Sequence, residues 1–202
     1  MPKNRNLKIL EIGPGFGELL SFLSEDHGYK KICAIDISQE VVDFCNNIIP
    51  RSTEITDDTI GFLEKNKNQY GMIFMLHVLE HIQKKDTIPL LSQIYTSLQN
   101  GGTLIVEVPN MANPIVGLNL RYADFTHESG FTDISLKQVL RKAGFTNVSV
   151  FPCKVPIVSV PRFFQSILQQ SINQFLNLIS NAYLPRREQI MSSSIYAVAT
   201  KS

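Results

Sequence analysis

The chain has 202 residues, 44% of them hydrophobic and 18% charged, and Lys plus Arg (19) nearly balance Asp plus Glu (18), leaving a formal net charge of +1. That length suits one domain with an appendage, and the apolar share is ample for a core. The balance argues against electrostatic binding of nucleic acid or an acidic membrane as the main work. Three cysteines (Cys33, Cys45, Cys153) are too few for a disulfide framework, so a reduced, cytoplasmic setting is expected. Met1–Asn6 is polar, unlike a leader, and no apolar run reaches the roughly 18 residues of a spanning helix.

In chain order, Lys8–Ile12 (KILEI) reads as a buried strand that turns into glycines, with a helix over Glu18–Leu23. Lys31–Ile37 is a second strand, and Gln39–Ile49 a helix closed by Pro50. Thr53–Thr56 is a weak third strand before a short helix at Thr59–Glu64. Met72–Leu76 is a fourth strand. A helix over Thr87–Leu98 stops at Asn100-Gly101-Gly102, and Thr103–Val108 is a fifth strand broken by Pro109. The long stretch Asn110–Thr132 reads as irregular and, for that reason, as a candidate functional loop. Ser135–Ala143 is an amphipathic helix that Thr132 and Ser135 can cap, and Val148–Phe151 and Ser194–Thr200 complete the strands. Such alternation predicts an α/β doubly wound sheet, mostly parallel, with ligands beyond the carboxyl ends of its strands.

The first candidate site is Glu11-Ile12-Gly13-Pro14-Gly15-Phe16-Gly17. Glycines let a ligand lie against bare amides. A dinucleotide fingerprint needs a further glycine where Glu18 stands. Glu11 would repel a pyrophosphate but suits an ammonium or sulfonium group. Asp36, about twenty residues on, can accept both hydroxyls of a ribose. Asp57 and Asp58 are equal by chemistry as acceptors for an adenine amino group.

LEIGPGFG, the acid in AIDIS, FMLHVLEHI and LQNGGTLIVEVPN together resemble the class I S-adenosylmethionine-dependent methyltransferases, in order through residues 7–150. The resemblance implies a Rossmann-like seven-stranded sheet whose last strand is antiparallel. It implies that Glu11, Gly13, Pro14, Gly15 and Gly17 hold the methionine end of S-adenosylmethionine and Asp36 with Ile37 the ribose. Asp58, Thr59 and Ile60 would meet the adenine, with Leu76, His77 and Leu79 lining the other side; the family spacing favours Asp58 over Asp57. Gly71 departs from the pattern, standing where relatives carry aspartate, a change expected to touch packing. Many members also place covering helices before the first strand, which here begins at about residue 7. Either another segment supplies the cover or the chain is a shortened version of a longer protein.

Methyl transfer is an in-line displacement, and a hydroxyl acceptor needs a base near neutral pH, the range of histidine. His27 reads as a surface residue. His77, Glu80 and His81 form H-x-x-E-H, which can present metal ligands; the same segment in metal-free relatives caps and packs the next helix, and no metal is expected. His127 is the candidate base, with Asp124 beside it, in Arg121-Tyr122-Ala123-Asp124-Phe125-Thr126-His127-Glu128. An alternative is that His127 and Asp124 merely pin the loop. This block, with F-T-D-I-S-L and A-G-F after it, resembles members from bacterial surface-polysaccharide biosynthesis. Arg121, Tyr122 and Asn110 are candidates to hold a sugar or other small acceptor, free or lipid-linked.

Phe163–Leu184 carries no charge and repeats its apolar residues at helical spacing, flanked by Arg162, Arg186 and Arg187. It reads as a helical insertion (155–190) that packs on the body or covers the site, or as a self-association face for a homodimer. A membrane-surface role fits less well, for want of Lys and Arg along the polar face. The chain is thus expected to be a methyltransferase acting on a hydroxyl of a sugar or small metabolite. A metal-assisted quinone or small-molecule O-methyltransferase and a non-catalytic cofactor-binding subunit are the alternatives. A nucleic-acid methyltransferase is disfavoured by the absence of a basic stripe.

Overall fold

The central strand explains the arrangement. β4 (Tyr70–Leu76, YGMIFML) is buried along almost its whole length, as an apolar run without alternation requires when both faces are covered. The computed structural model describes residue 2 and residues 4–154, 158–183 and 189–202. Beside β4 lie β1 (Lys8–Ile12), β2 (Lys31–Asp36) and β3 (Thr53–Ile55) on one side. On the other lie β5 (Leu98–Pro109), β7 (Ser194–Thr200) and β6 (Asn147–Pro152). The order is β3-β2-β1-β4-β5-β7-β6, with β7 antiparallel to both neighbours and the other pairs parallel. This is the expected seven-stranded sheet with its last strand reversed. The order turns back between β1 and β4, which puts the site at their carboxyl ends.

The helices are α1 (Glu18–Ser21), continued as a π-helical turn at Phe22–Asp26, α2 (Gln39–Ile48), α3 (Thr59–Lys65), α4 (Lys84–Ser97), α5 (Gly117–Tyr122), α6 (Asp133–Lys142) and α7 (Val160–Tyr183). The main core joins Leu10, Ile73 and Leu104 of the sheet to Leu63, Leu91 and Leu140 of the helices. At the other end of β4, Gly71 leaves room for Leu7: a Cβ there would lie 2.0 Å from Leu7 Cδ1. A larger residue there would have to displace the Leu7 side chain.

Three expectations change. α4 starts at Lys84 rather than Thr87 and runs through Pro89, and β5 starts at Leu98, ahead of the glycines expected to separate them. The stretch expected to be irregular contains α5: Asn113 Oδ1 accepts from the N–H groups of Ile115 (2.9 Å) and Val116 (3.1 Å), closing the turn that starts it. Pro114 and Gly117 hid this helix from composition. α6 is capped as expected, Thr132 and Ser135 exchanging side-chain and backbone hydrogen bonds.

The third change concerns the uncharged helix. Among the described residues, Ser166 is the only one in α7 that is buried, while Phe164, Leu168, Phe175 and Leu178 are exposed. α7 therefore does not bury its apolar face on the body, contrary to the packed or covering helix expected. Residues 155–157 and 184–188, including Leu184, Arg186 and Arg187 of the expected insertion, lie outside the described residues. No described helix is long and apolar enough to cross a membrane.

Candidate active site

The last residue but one of β1 is Glu11, a carboxylate inside the sheet beside Ala34 of β2 and Phe74 of β4. Only 2% of it is exposed, and its Oε2 has no hydrogen-bond partner in the structure. Burial pushes its pKa up from 4.5 to about 8 because the ionised form loses water and gains no donor in return. A buried acid with an orphan oxygen fits a cationic ligand group that would supply the missing partner.

The glycine loop follows at once. Gly13 donates to the Ile35 carbonyl (2.9 Å) and Gly17 to that of Pro14 (2.9 Å), folding a tight turn around buried Pro14. Gly13 sits at φ 73, and a Cβ on it would lie 2.5 Å from Val78 Cγ2; Gly15, at φ 52, has nothing within 4 Å of that position. One glycine closes the loop onto the segment after β4, and the other leaves open space above the backbone.

Asp36 closes β2. Its Oδ1 accepts from Ser38 N–H at 2.8 Å, and Oδ2 has no partner among the described residues. Ile37 beside it is exposed. Asp58 caps α3, its Oδ1 accepting from Gly61 N–H at 2.8 Å, with Thr59 and Ile60 opening that helix; Ile60 is partly packed on the core. These residues share the carboxyl edge of β1–β3 with Glu11. Phe16 and Phe44, edge to face at 6.0 Å, flank a cavity of about 340 Å³ against Gly15. Phe16 stands inside the candidate glycine segment, where an aromatic between two glycines passes for loop filler and no role was expected of its ring.

After β4 the chain turns sharply. Leu76 is half-buried at the strand end, and His77 takes φ 54. Its Nδ1 lies 3.3 Å from Glu80 Oε1 and its Nε2 3.2 Å from Glu107 Oε1. Hydrogen bonds to Glu107 and Glu80 raise its pKa to about 10, so the ring is a cation clamped by two acids and unsuited to act as a base. Glu107 was missed; an acid near the end of an otherwise apolar strand is the signal that singled out Glu11. Leu79 is fully buried in the main core, so its side chain is closed to a ligand in this structure, and Val78 beside it packs against Gly13.

The H-x-x-E-H run divides at Glu80: its carboxylate bonds back to His77, while its carbonyl and the His81 ring meet the loop after α5. The Glu80 carbonyl accepts from the N–H groups of Glu128 (2.8 Å) and Ser129 (3.0 Å), and the His81 and His127 rings lie 4.7 Å apart, edge to face. His127 Nδ1 is 2.8 Å from the Leu120 carbonyl and His81 Nδ1 2.8 Å from Thr126 Oγ1. Asp124 bonds to His127 through the backbone, its carbonyl accepting from His127 N–H at 3.3 Å, and not through its carboxylate. Its Oδ1 accepts from both N–H and Oγ1–H of Thr126 (2.8 and 2.7 Å), bonds that hold its carboxyl below the usual range. Glu80, His81 and His127 are the described residues that come together as potential metal ligands.

Two expected acceptor contacts are taken up elsewhere. Asn110 is buried: Nδ2 donates to the carbonyls of Ile190 (2.7 Å) and Ser192 (2.9 Å), and Oδ1 accepts from Ala112 N–H (3.0 Å). It braces β5 to the segment before β7 and has no polar atom left for a ligand. Arg121 donates to the carbonyls of His127 and Glu128, which fixes the loop rather than an acceptor. Tyr122 is exposed beside it, under the guanidinium at 5.3 Å.

The sheet order is that of the S-adenosylmethionine-dependent methyltransferase fold, and the buried acid, the glycine turn and the strand-end aspartate stand at its carboxyl edge. The model of a methyltransferase domain matches residues 1–150, and the chain belongs to that family. S-adenosylmethionine is its cofactor. A phosphoethanolamine N-methyltransferase of Plasmodium falciparum is 23% identical over 150 residues, 72% of this chain and 56% of that protein. The chain thus spans little more than half the length of this curated relative. Among solved structures, an S-adenosylmethionine-dependent methyltransferase from Archaeoglobus fulgidus superposes with a TM-score of 0.71 at 22% identity, covering 97% of this chain and 86% of that one. Phosphoethanolamine N-methyltransferase 2 of Haemonchus contortus, solved with phosphomonomethylethanolamine and S-adenosylhomocysteine, gives 0.67 at 16% identity over 99% and 50%. At such identities the likeness is one of fold.

Proposed function

We propose that the protein transfers the methyl group of S-adenosylmethionine to a hydroxyl of a sugar or other small metabolite. The hydrogen bond between His127 Nδ1 and the Leu120 carbonyl carries this reading. A carbonyl only accepts, so Nδ1 holds the proton and Nε2 keeps its lone pair, the form a base needs to take a hydroxyl proton. The acceptor oxygen then attacks the methyl carbon in line, the C–S bond breaks, and sulfur leaves with the electron pair. Glu11 and the amides of Gly13–Gly17 would orient the methionine end, Asp36 the ribose, and Asp58 with Ile60 the adenine. Tyr122 would lie along the acceptor.

Arg121 favours an acceptor without phosphate at this loop, since its guanidinium is engaged by backbone carbonyls. Incubating the protein with methyl-labelled S-adenosylmethionine, and sugar nucleotides or phosphoethanolamine in parallel, tests the reading. Label in an O-methyl ether is expected. Label only on the amine of phosphoethanolamine would overturn it.

A further inference from the structure

We propose that Glu80, His81 and His127 form a binding site for one first-row divalent cation such as Zn²⁺, open to an acceptor hydroxyl. This departs from the metal-free site expected from the sequence, and from the ligand set that H-x-x-E-H suggests, because both ring nitrogens of His77 are engaged, Nδ1 by Glu80 and Nε2 by Glu107. One carboxylate oxygen of Glu80 and one ring nitrogen from each of His81 and His127 lie within 4.8 Å of one another. Bonds of about 2.0–2.1 Å to a tetrahedral ion bring such atoms to about 3.4 Å apart, a contraction of roughly an ångström that side-chain rotation supplies.

A second observation is independent of the clustering. Glu80 is only 2% exposed, and its Oε2 is buried without a hydrogen-bond partner while Oε1 contacts His77. A buried carboxylate oxygen left without a donor is costly, and a cation at this corner would satisfy it.

The hydrogen bonds around the rings set the ligand atoms. Thr126 Oγ1 gives its one hydrogen to Asp124, so toward His81 it can only accept, and His81 Nδ1 must donate. His127 Nδ1 donates to Leu120. Both rings are thereby held as the Nδ1–H tautomer with Nε2 free, the arrangement in which the distal ring N–H is anchored and the other nitrogen binds metal. Asp124 and Thr126 position His81; they would not touch the ion. Two imidazoles with one carboxylate favour zinc, manganese or iron(II) over magnesium or calcium, which take oxygen ligands.

Three protein ligands leave a position for an acceptor oxygen. The inference rests on the reading of this loop as the acceptor site and gives that site a second way to activate a hydroxyl. An ion held by Glu80, His81 and His127 would act as a Lewis acid that eases loss of the acceptor hydroxyl's proton to water, and the oxygen would then form the O–CH₃ bond as the S–CH₃ bond breaks toward sulfur. Without it, His127 is the base.

Isothermal titration of the chelator-treated full chain with Zn²⁺, and absorption titration with Co²⁺ as the coloured probe, test the site without reference to turnover. One equivalent is expected at micromolar affinity or tighter, with Mg²⁺ giving no heat. His127→Ala and His81→Asn should each weaken binding more than about tenfold, Thr126→Val about tenfold, and the control His27→Ala not at all. Melting curves confirm that each variant folds, and Thr126→Val serves if a histidine variant does not. Absence of binding, or binding that survives all three substitutions, overturns the proposal. If the chelated protein still methylates a hydroxyl at full rate, the cation has no part in transfer and the free-base reading stands. If Zn²⁺ binds as expected but only an amine is methylated, the site stands and the hydroxyl reading falls.

Discussion

His127 Nδ1 lies 2.8 Å from the carbonyl oxygen of Leu120, so one end of α5 fixes the tautomer of a histidine at the far end of the same loop. The bond separates binding from chemistry. Nothing about it touches Glu11, the glycine turn or Asp36, which lie on β1 and β2.

His127→Ala should therefore lower turnover by about 10²–10⁴-fold while the affinity for S-adenosylmethionine changes less than about twofold. Calorimetry with the cofactor and a labelled-methyl assay on the same preparation read the two quantities. Parallel loss of cofactor affinity would mean that His127 holds the loop, or the cofactor, and not the acceptor.

Glu11 gives the pH dependence. Its folded pKa, about 8 against an ordinary 4.5, means the folded chain keeps a proton that the unfolded chain gives up. Its contribution to stability is present below pH 4.5 and is lost as pH rises toward about 8. Glu11→Gln removes the penalty, so the ligand-free variant should gain on the wild type by up to about 4 kcal/mol between pH 5 and 9. Urea melts at both pH values test this. The same carboxylate must ionise to meet a cationic ligand, so cofactor binding to the wild type should tighten as pH rises toward 8. Binding should also release a proton, seen as a buffer-dependent heat, and the gain should vanish in Glu11→Gln. A pH-independent affinity in the wild type would remove Glu11 from the cofactor site.

How far these features can be read from sequence differs by residue. Buried strands such as β4 announce themselves because unbroken apolar runs have few other fates, and Glu11 stands out as an acid where such a run ends. α5 did not, because Pro114 and Gly117 argue against a helix that follows the turn closed by Asn113. Nor can sequence say where a donor is directed. Asn110 and Arg121 carry the chemistry of an acceptor site, yet both are engaged by backbone carbonyls. The pairing of Glu80 and His81 with His127 depends on a loop crossing back over the end of β4, a long-range contact with no local signature.

Gly13 and Gly15 of the glycine turn should respond differently. Gly13→Ala meets both a left-handed φ and Val78 Cγ2 at 2.5 Å, and should cost about 2–4 kcal/mol of stability. Val78→Ala in the same chain relieves the contact but not the backbone, so it should restore only part of that loss. Gly15→Ala has open space around it and only the φ penalty, about 1 kcal/mol. Its methyl would enter the space above the loop, so cofactor affinity should fall by more than the small stability loss suggests. Thermal melts and calorimetry separate the two. Equal cofactor affinity in Gly15→Ala and the wild type would move the ligand away from this amide.

Asn110 distinguishes a brace from a substrate contact. Its amide donates to two carbonyls ahead of β7 and its carbonyl accepts from Ala112, while its own N–H donates to Ser193 at 2.8 Å. Asn110→Ala keeps the backbone bond but leaves the half-buried carbonyl of Ile190 and the buried one of Ser192 short of a donor. That should cost about 2–4 kcal/mol. At a temperature where the variant remains folded, its KM for the acceptor should match the wild type, because no polar atom of Asn110 is left for the ligand. Denaturant melts give the first quantity and steady-state kinetics the second. A KM raised tenfold with stability unchanged would mean that Asn110 leaves these carbonyls and turns to the acceptor when the enzyme is loaded.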